Sequence, residues 1–188
     1  SFFDFCDCTT GMSIAPFSFP FTKEYQVSFW FRVESIPKIG ASGSKQNLFT
    51  YMNNSNGFMV YLENGVLCVS VSNGPDETTL IKCLDNEIVP RVWYSFCMTH
   101  NKPRMTLFAK YEMTLSLDGK TCFQDNVRFP SASTIDTMTH ASIGKNFNGQ
   151  MGPVYIFNEV IPMNSIDMIA RRDAGKPMKE VFAILQTR

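Results

Sequence analysis

Pairs of acidic residues are the first feature of this sequence that could do chemistry. A glycoside hydrolase holds two carboxylates roughly 5 to 9 Å apart across a cleft. The sequence offers Asp85 with Glu87, in a segment that we interpret as a loop, and Glu112 with Asp118, on one predicted strand. Neither pair belongs to a run of alternating acids that would point into one cleft. We therefore expect solvated side chains at all four positions.

A cysteine and a histidine close together could act as nucleophile and base. Cys97 and His100 lie three residues apart in a predicted strand, where such side chains point to opposite faces. The sequence has no Gly-x-Ser-x-Gly elbow, and its Gly149-Gln150-Met151-Gly152 run precedes a predicted strand and does not open a helix. We predict a chain that is not an enzyme, has no catalytic residues and needs no cofactor.

Oxygen atoms for a metal ion are present but not concentrated. Asp118 and Asp125 flank a predicted hairpin turn, and Asn146 and Asn148 flank Phe147. Calcium sites usually gather such side chains in a tighter Asp-x-Asp-x-Asp pattern. We expect these residues to stabilise turns and predict no metal site, with a calcium site as the alternative.

The cysteines and the first residues bear on the compartment. Six cysteines could pair in 15 ways, but six in 188 residues are few for a disulfide scaffold. Cys6 and Cys8 have no second cysteine pair at the spacing of a zinc ribbon, and Cys68 and Cys97 lie in apolar runs. The first residues lack the positive region and cleavage site of a secretory signal. We expect reduced thiols and a cytoplasmic location.

Trp30 and Arg32 are the candidate ligand-binding residues. Residues 25–33 alternate between apolar side chains at odd positions and Gln, Ser, Trp and Arg at even positions. The even face would carry Trp30 beside Arg32, where an indole ring could stack on a sugar or a peptide. The alternative is that a flanking loop covers Trp30.

Strands must position these residues, because the same two-residue alternation recurs along the chain while helical spacing is nearly absent. Asn64-Gly65 and Asp118-Gly119 are suited to hairpin turns. Turn signals every eight to twelve residues or so favour two antiparallel sheets packed face to face, as in a jelly-roll sandwich. The predicted strands are 25–33, 46–52, 58–63, 66–72, 78–83, 91–99, 104–109, 111–118, 122–129, 138–145 and 151–159.

The length of the chain and its net charge limit its domain organisation and its possible partners. We predict a single domain over residues 1–188, with a short helix at 163–175 and a C-terminal extension at 176–188. The 17 basic residues balance the 17 acidic ones, which argues against a nucleic-acid partner. No apolar stretch approaches the roughly 20 residues that span a bilayer, so we predict no direct membrane insertion.

The order of the motifs resembles the laminin-G and concanavalin A-like lectin fold. That resemblance implies a concanavalin A-like jelly roll. The motifs, in order, are Val27-Ser28-Phe29-Trp30-Phe31-Arg32, Arg91-Val92-Trp93-Tyr94, Leu115-Ser116-Leu117-Asp118-Gly119-Lys120, and Ile143-Gly144 before Phe147.

Residues 147–161 resemble more closely a segment of the concanavalin A-like domain in BEACH-domain proteins, the large scaffolds of vesicle traffic. The shared pattern is Gly-Gln-Met-Gly-x-Val-Tyr-x-Phe, which begins here at Gly149. The resemblance implies a non-catalytic binding or scaffolding module that contacts a protein partner or neighbouring domains of the same long chain. It also implies a cytoplasmic protein that other parts of the chain could attach to membranes. The alternative is a genuine lectin domain that binds a glycan.

Overall fold

The computed structural model describes residues 2–8, 11–15, 23–37, 45–102, 111–130, 139–162 and 164–166. These residues form twelve β-strands. In chain order the strands are β1 (Phe3–Cys8), β2 (Met12–Ile14), β3 (Glu24–Val33), β4 (Lys45–Asn53), β5 (Asn56–Glu63), β6 (Val66–Asn73), β7 (Thr78–Glu87), β8 (Trp93–Asn101), β9 (Glu112–Leu117), β10 (Lys120–Asn126), β11 (Thr139–Ile143) and β12 (Phe147–Phe157).

The strands form two antiparallel sheets of six strands each. Sheet A has the order β1-β12-β3-β8-β9-β10, and sheet B has the order β2-β11-β4-β5-β6-β7. In each sheet a strand from near the end of the chain, β12 or β11, lies between strands from its beginning. The predicted all-β architecture of two antiparallel sheets is confirmed.

Strand β3 shows why this sequence makes a sandwich. Its odd-numbered side chains, Tyr25, Val27, Phe29, Phe31 and Val33, are all 0% exposed, as the alternation predicted. They face the other sheet, since the ring of Tyr25 stacks on Phe58 of β5 with centroids 5.4 Å apart. Burying five large side chains from one strand supplies several kcal/mol, at roughly 1.5–3 kcal/mol for each aliphatic or Phe side chain.

The two predicted hairpin turns are present, each with both central residues in the left-handed region. Asn64 and Gly65 have φ of 53° and 79°, and Asp118 and Gly119 have φ of 50° and 75°. Such turns match the right-handed twist of the flanking strands. They set the register of β5 with β6 and of β9 with β10.

The structure corrects three interpretations of the sequence. Strands β1 and β2 were not predicted; both are short, and each pairs with a strand that lies more than a hundred residues later. Asp85 and Glu87 belong to β7 and not to a loop. The Gly149-Gln150-Met151-Gly152 run lies inside β12 and does not precede a strand.

Some predictions fall on parts of the chain that the structure does not describe. Residues 103–110 include the predicted strand at 104–109. Of the predicted helix at 163–175, residues 164–166 are described, and they are helical. The extension at 176–188 lies outside the described residues. Within the described part of the chain, no helix is long and apolar enough to cross a membrane.

Truncation of Phe29 tests the inward face of β3. Phe29→Ala should lower the free energy of unfolding by about 3 to 5 kcal/mol, because it removes a buried ring and leaves a cavity. Phe2→Ala is the matched control, since Phe2 is 53% exposed, and it should cost less than about 1 kcal/mol. Denaturant melts give both values, and equal small losses would show that β3 does not face the core as described.

Candidate functional site

Trp30 and Arg32 lie on the outer face of sheet A, as the alternation along β3 predicted. Pairing with β8 places Arg32 opposite Trp93 and Trp30 opposite Ser95. On the other side of β3, Arg32 lies opposite Gln150 of β12. The register therefore brings Trp93 next to both candidate residues, since diagonal neighbours on one sheet face are within reach of long side chains.

The other end of the same face is covered. Gln26 and Ser28, which the alternation placed on the polar face, are 0% and 1% exposed. The backbone N–H of Ile161, in the chain that follows β12, donates to Oε1 of Gln26 at 2.6 Å. Nε2 of Gln26 donates to Oγ of Ser28 and to Sγ of Cys97, at 3.3 and 3.2 Å. The returning chain thus closes this end of the outer face with a satisfied polar network.

The open end carries an aromatic patch, which we define as Phe2, Trp30, Arg32 and Trp93. Phe2 and Trp93 are 53% and 42% exposed, and their rings meet edge to face with centroids 6.2 Å apart. Trp30 is half-buried and lies perpendicular to Tyr155, with centroids 6.3 Å apart. Trp30 is therefore only partly covered. The sequence left open whether this indole is available for stacking or is covered by a loop, and its exposure is intermediate between the two.

Arg32 is held in place at this patch by three polar contacts. Its Nε donates to the carbonyl oxygen of Arg91 at 3.2 Å, and its Nη1 donates to Oε1 of Gln150 at 3.0 Å. The same Nη1 lies 3.6 Å from Oε2 of Glu34, whose Oε1 pairs with Nε of Arg91 at 2.8 Å. Two guanidinium groups therefore share the carboxylate of Glu34 at the patch.

The glycine run of β12 allows this strand to lie close against the two candidate residues. A Cβ atom added at Gly149 would overlap the carbonyl oxygen of Arg32. One added at Gly152 would lie 3.3 Å from Cβ of Trp30, a tight contact that small shifts relieve. These two glycines thus pack tightly against the backbone of Arg32 and the side chain of Trp30.

The two glycines should respond differently to the same substitution. We expect Gly149→Ala to lower the free energy of unfolding by about 1 to 3 kcal/mol, because the backbone of β12 must move away from β3. Gly152→Ala should cost less than about 1 kcal/mol. Thermal or denaturant unfolding of both variants measures the difference, and a smaller loss for Gly149→Ala would contradict the strand packing described.

Two of the acidic residues considered for catalysis or calcium, Glu112 and Asp118, make ordinary surface contacts. Glu112 accepts a hydrogen bond from Nε2 of Gln124 at 2.9 Å. Asp118 accepts one from the backbone N–H of Ser95 at 2.8 Å, which holds the hairpin against β8. Glu87 is exposed on the edge strand β7. Among the described residues, no group of three or more His, Cys, Asp or Glu side chains could hold a metal ion.

The remaining candidate calcium ligands either form hydrogen bonds within the protein or lie in a turn. Oδ1 of Asp125 accepts from the neighbouring N–H of Asn126 at 2.7 Å, and Nδ2 of Asn148 donates to Oγ of Ser35 at 3.0 Å. Asn146 occupies a left-handed position in the turn before β12, with φ of 55°. Asn146 therefore has the role in a turn that the sequence indicated, whereas Asp125 and Asn148 lie in strands β10 and β12.

Cys97 and His100 point to opposite faces of sheet A. Cys97 pairs with Ser28 and joins the Gln26 network on the outer face. His100 lies opposite Tyr25 on the inner face and is 0% exposed. The prediction from their spacing, that the two side chains lie on opposite faces and cannot act together as nucleophile and base, is confirmed.

His100 is part of a buried hydrogen-bond network between the sheets. Its Nδ1 lies 3.0 Å from the hydroxyl of Tyr25, and its Nε2 lies 2.8 Å from the carbonyl oxygen of Val127. The neutral ring satisfies both contacts when Nε2–H donates to Val127 and Tyr25 donates to Nδ1. Burial lowers the pKa of His100 to about 4, although the bond to Val127 opposes that change.

This pKa predicts a loss of stability in mild acid. Between the ordinary histidine pKa near 6.5 and the folded-state pKa of about 4, the unfolded chain binds a proton that the folded chain does not, so stability falls as the pH falls. The loss from His100 should be about 2 to 3 kcal/mol across this window. Denaturant melts at pH 7, 5.5 and 4 measure it.

His100→Gln is the test variant, since its amide can still donate to Val127 but does not titrate. It should be less stable than the wild type at pH 7 and should show a shallower dependence on pH. His140→Asn is the control, because His140 is exposed on β11. If His100→Gln and the wild type lose equal stability between pH 6.5 and 4, the burial of a neutral His100 is contradicted.

Phe2 and Trp93 are the patch residues that the sequence did not single out as ligand-binding candidates. The pattern of residues around Trp93 predicted a strand there. It did not predict that this strand pairs with β3 and brings Trp93 next to Arg32. Phe2 precedes β1, a strand that was not predicted. The proximity of both residues depends on the order β1-β12-β3-β8 in sheet A.

Comparison with known proteins finds similarity in sequence to a curated protein, whereas the family models give no match. BEACH domain-containing protein B of Arabidopsis thaliana is 23% identical over 193 residues, which cover 89% of this chain. The chain spans only 7% of the length of that protein.

Solved structures share the fold. The receptor binding domain of botulinum neurotoxin C/D mosaic serotype superposes with a TM-score of 0.58 at 12% identity, over 81% of this chain and 37% of that chain. The receptor binding domain of botulinum neurotoxin type G gives 0.53 at 10% identity, over 80% and 38%. Botulinum neurotoxin type C, whose cell entry depends on interaction with two ganglioside molecules, gives 0.52 at 14% identity, over 80% and 36%. At these identities the likeness shows the fold alone.

Proposed function

We propose that this chain is a non-catalytic binding module of a large BEACH-type scaffold involved in vesicle traffic. In this proposal it belongs to the concanavalin A-like sandwiches, lies in the cytoplasm and contacts a protein partner or a neighbouring domain of its own long chain. The aromatic patch is the observation that carries the proposal. The relative in Arabidopsis supports the scaffold context, because the similarity covers nearly all of this chain and a small part of a much longer protein.

The composition of the patch suits a protein surface. Trp and Arg are the residues most often found at the energetic centre of protein interfaces. Here Arg32 is already fixed by Gln150, Glu34 and the backbone of Arg91. A side chain that is fixed before binding loses little conformational entropy when a partner contacts it.

An ordered apolar segment extends the patch beside Trp93. Val89 and Val92 are 53% and 44% exposed. The segment is held by the backbone N–H of Arg91, which donates to the carbonyl oxygen of Val33 at 2.6 Å, and by that of Val89, which donates to the hydroxyl of Tyr94 at 2.9 Å. Exposed apolar groups on a fixed backbone are typical of interaction sites.

Glycan binding is the second candidate. An exposed indole such as that of Trp93 can stack on a sugar ring, and Gln150 and Arg32 offer polar groups beside it. The ganglioside dependence of botulinum neurotoxin type C, a protein with this fold, supports testing sialylated oligosaccharides. Attachment to membranes, in either case, would come from other parts of the full-length protein.

Tryptophan fluorescence can test both candidates directly. The chain contains two tryptophans, Trp30 and Trp93, and both belong to the patch. We expect the emission to shift when the 188-residue chain is titrated with the flanking domains of its own full-length protein, expressed separately. Trp93→Ala and Arg32→Ala should each weaken that binding at least 10-fold by calorimetry, because truncating an interface anchor costs upwards of about 1 to 2 kcal/mol.

Leu84→Ala is the matched control, because Leu84 is 73% exposed but lies on β7 of the other sheet. It should change the affinity less than two-fold. Binding that survives both patch variants would refute the patch as the contact surface. Saturable binding of sialylated oligosaccharides that Trp93→Ala abolishes, with no binding of flanking domains, would favour the lectin alternative.

A further inference from the structure

Two cysteines from opposite sheets meet at one side of the sandwich. Sγ of Cys83, on β7, lies 3.0 Å from Sγ of Cys122, on β10. β7 is the edge strand of sheet B, and β10 is the edge strand of sheet A. The two thiols are therefore close together at the side of the sandwich where, among the described residues, β7 and β10 are the last strands of their sheets. The separation is about 1 Å longer than a disulfide bond of roughly 2.0 Å.

A β-bulge directs Cys122 towards the interior. Thr121 pairs with Ser116 and Phe123 pairs with Leu115, so Cys122 is the extra residue between consecutive pairs. Bulges at sheet edges change the direction in which side chains point. As a result, Cys122 and the adjacent Phe123 are both partly buried and both pack against the core.

A second irregularity follows Cys83 on β7. Leu67 of β6 pairs with Cys83, whereas the preceding residue, Val66, pairs with Glu87. Residues 84–86 therefore lie between two consecutive pairs and have no paired residue on β6. Cys83 itself is 1% exposed and points into the core, like Ile81 two residues earlier. Each cysteine thus lies at a break in an edge strand, where the backbone can adjust more readily than in a central strand.

We infer that Cys83 and Cys122 form a reversible redox pair, in which an intramolecular disulfide joins the two sheets. The oxidant in this proposal is a small disulfide of the oxidised glutathione class. This modification site lies on the side of the sandwich formed by β7 and β10, and it does not depend on the proposed function of the aromatic patch.

The reaction proceeds by two thiol–disulfide exchanges. The thiolate of Cys122 attacks one sulfur of oxidised glutathione, forms a mixed disulfide and releases the first glutathione as a thiolate. Cys83 then loses its proton and attacks the Cys122 sulfur of that mixed disulfide. This step forms the bond between Cys83 and Cys122 and releases the second glutathione. Overall the two protein thiols are oxidised and one glutathione disulfide is reduced to two thiols.

The geometry assigns the order of attack. Cys122 is the more exposed of the two residues, so a small disulfide reaches it first. The hydrogen bond from the Cys83 thiol lowers the pKa of Cys122, which favours its thiolate. The same hydrogen bond, together with burial, raises the pKa of Cys83. Once Cys122 is in the mixed disulfide there is no thiolate to accept that bond, so the largest obstacle to deprotonation of Cys83 is removed.

The disulfide would crosslink the two sheets at the side of the sandwich formed by β7 and β10. The two cysteines are 39 residues apart in sequence, and the chain between them includes β8 and β9. A crosslink over a loop of this length restricts the unfolded chain and so stabilises the folded one. We expect the oxidised protein to melt about 5 to 15 °C above the reduced protein.

Peptide mapping identifies the bond directly. The purified chain is reduced, freed of reductant, incubated with oxidised glutathione, alkylated without reduction and digested with trypsin. Cleavage after Lys82, Arg91, Lys120 and Arg128 gives peptides 83–91 and 121–128, each with one cysteine. We expect the two peptides to appear as one crosslinked species that dithiothreitol separates, and the oxidised protein to show the higher melting temperature.

Serine variants provide the controls. Cys122→Ser should abolish both the crosslinked species and the rise in melting temperature, and because Cys122 is only partly buried this variant should still fold. Cys97→Ser is the matched control; Cys97 is buried in the outer-face network of Gln26, and its loss should leave the crosslink intact. Two outcomes would overturn the inference. One is the recovery of peptides 83–91 and 121–128 as free, alkylated peptides after exposure to excess oxidised glutathione. The other is a disulfide between peptide 83–91 and another cysteine peptide that persists in Cys122→Ser.

Discussion

The burial of one face of β3 against the opposite sheet is the constraint on which the rest of the structure depends. Five alternating side chains, from Tyr25 to Val33, are removed completely from solvent. A shift of one residue in the register would move all of them to the outside, so the pairing of β3 with β8 and β12 is strongly specified. The same register fixes what lies on the outer face, and it is why Trp30, Arg32 and Trp93 come together.

The outer face of sheet A has two ends with different chemistry. At one end a buried amide, Gln26, would be costly without partners, and the backbone of Ile161 supplies one of them. The chain after β12 is thereby held over that end, and the other end is left open with its aromatic rings and guanidinium groups. The hydrogen bonds of Gln26 inside the molecule thus decide which end of the outer face stays exposed. The glycines of β12 contribute by letting that strand lie close to Arg32 and Trp30.

Local patterns in the sequence were sufficient to predict most of the described strands, but not β1 and β2, and they did not predict which strands come into contact. Alternation predicted the two faces of β3, and Asn-Gly and Asp-Gly predicted two hairpins, because both signals depend on neighbouring residues. Alternation also placed Gln26 and Ser28 on the polar face of β3, but both side chains are buried. The alternation could not predict this burial, because the segment that covers them lies more than 130 residues later in the chain. The contact between Cys83 and Cys122 requires the order of strands in both sheets and a bulge, and neither can be read from residue spacing.

Amide hydrogen exchange, measured residue by residue on the native chain, tests the central claim most directly. The amides of β3 between Val27 and Phe31 lie in a strand paired on both sides and covered on its inner face, so they should exchange only through global unfolding. Outer-edge amides of β7 and β10 should exchange much faster, through local opening. If the β3 amides exchange as fast as those of β10, then β3 is not the buried centre of sheet A, and the account of the patch on its outer face is wrong.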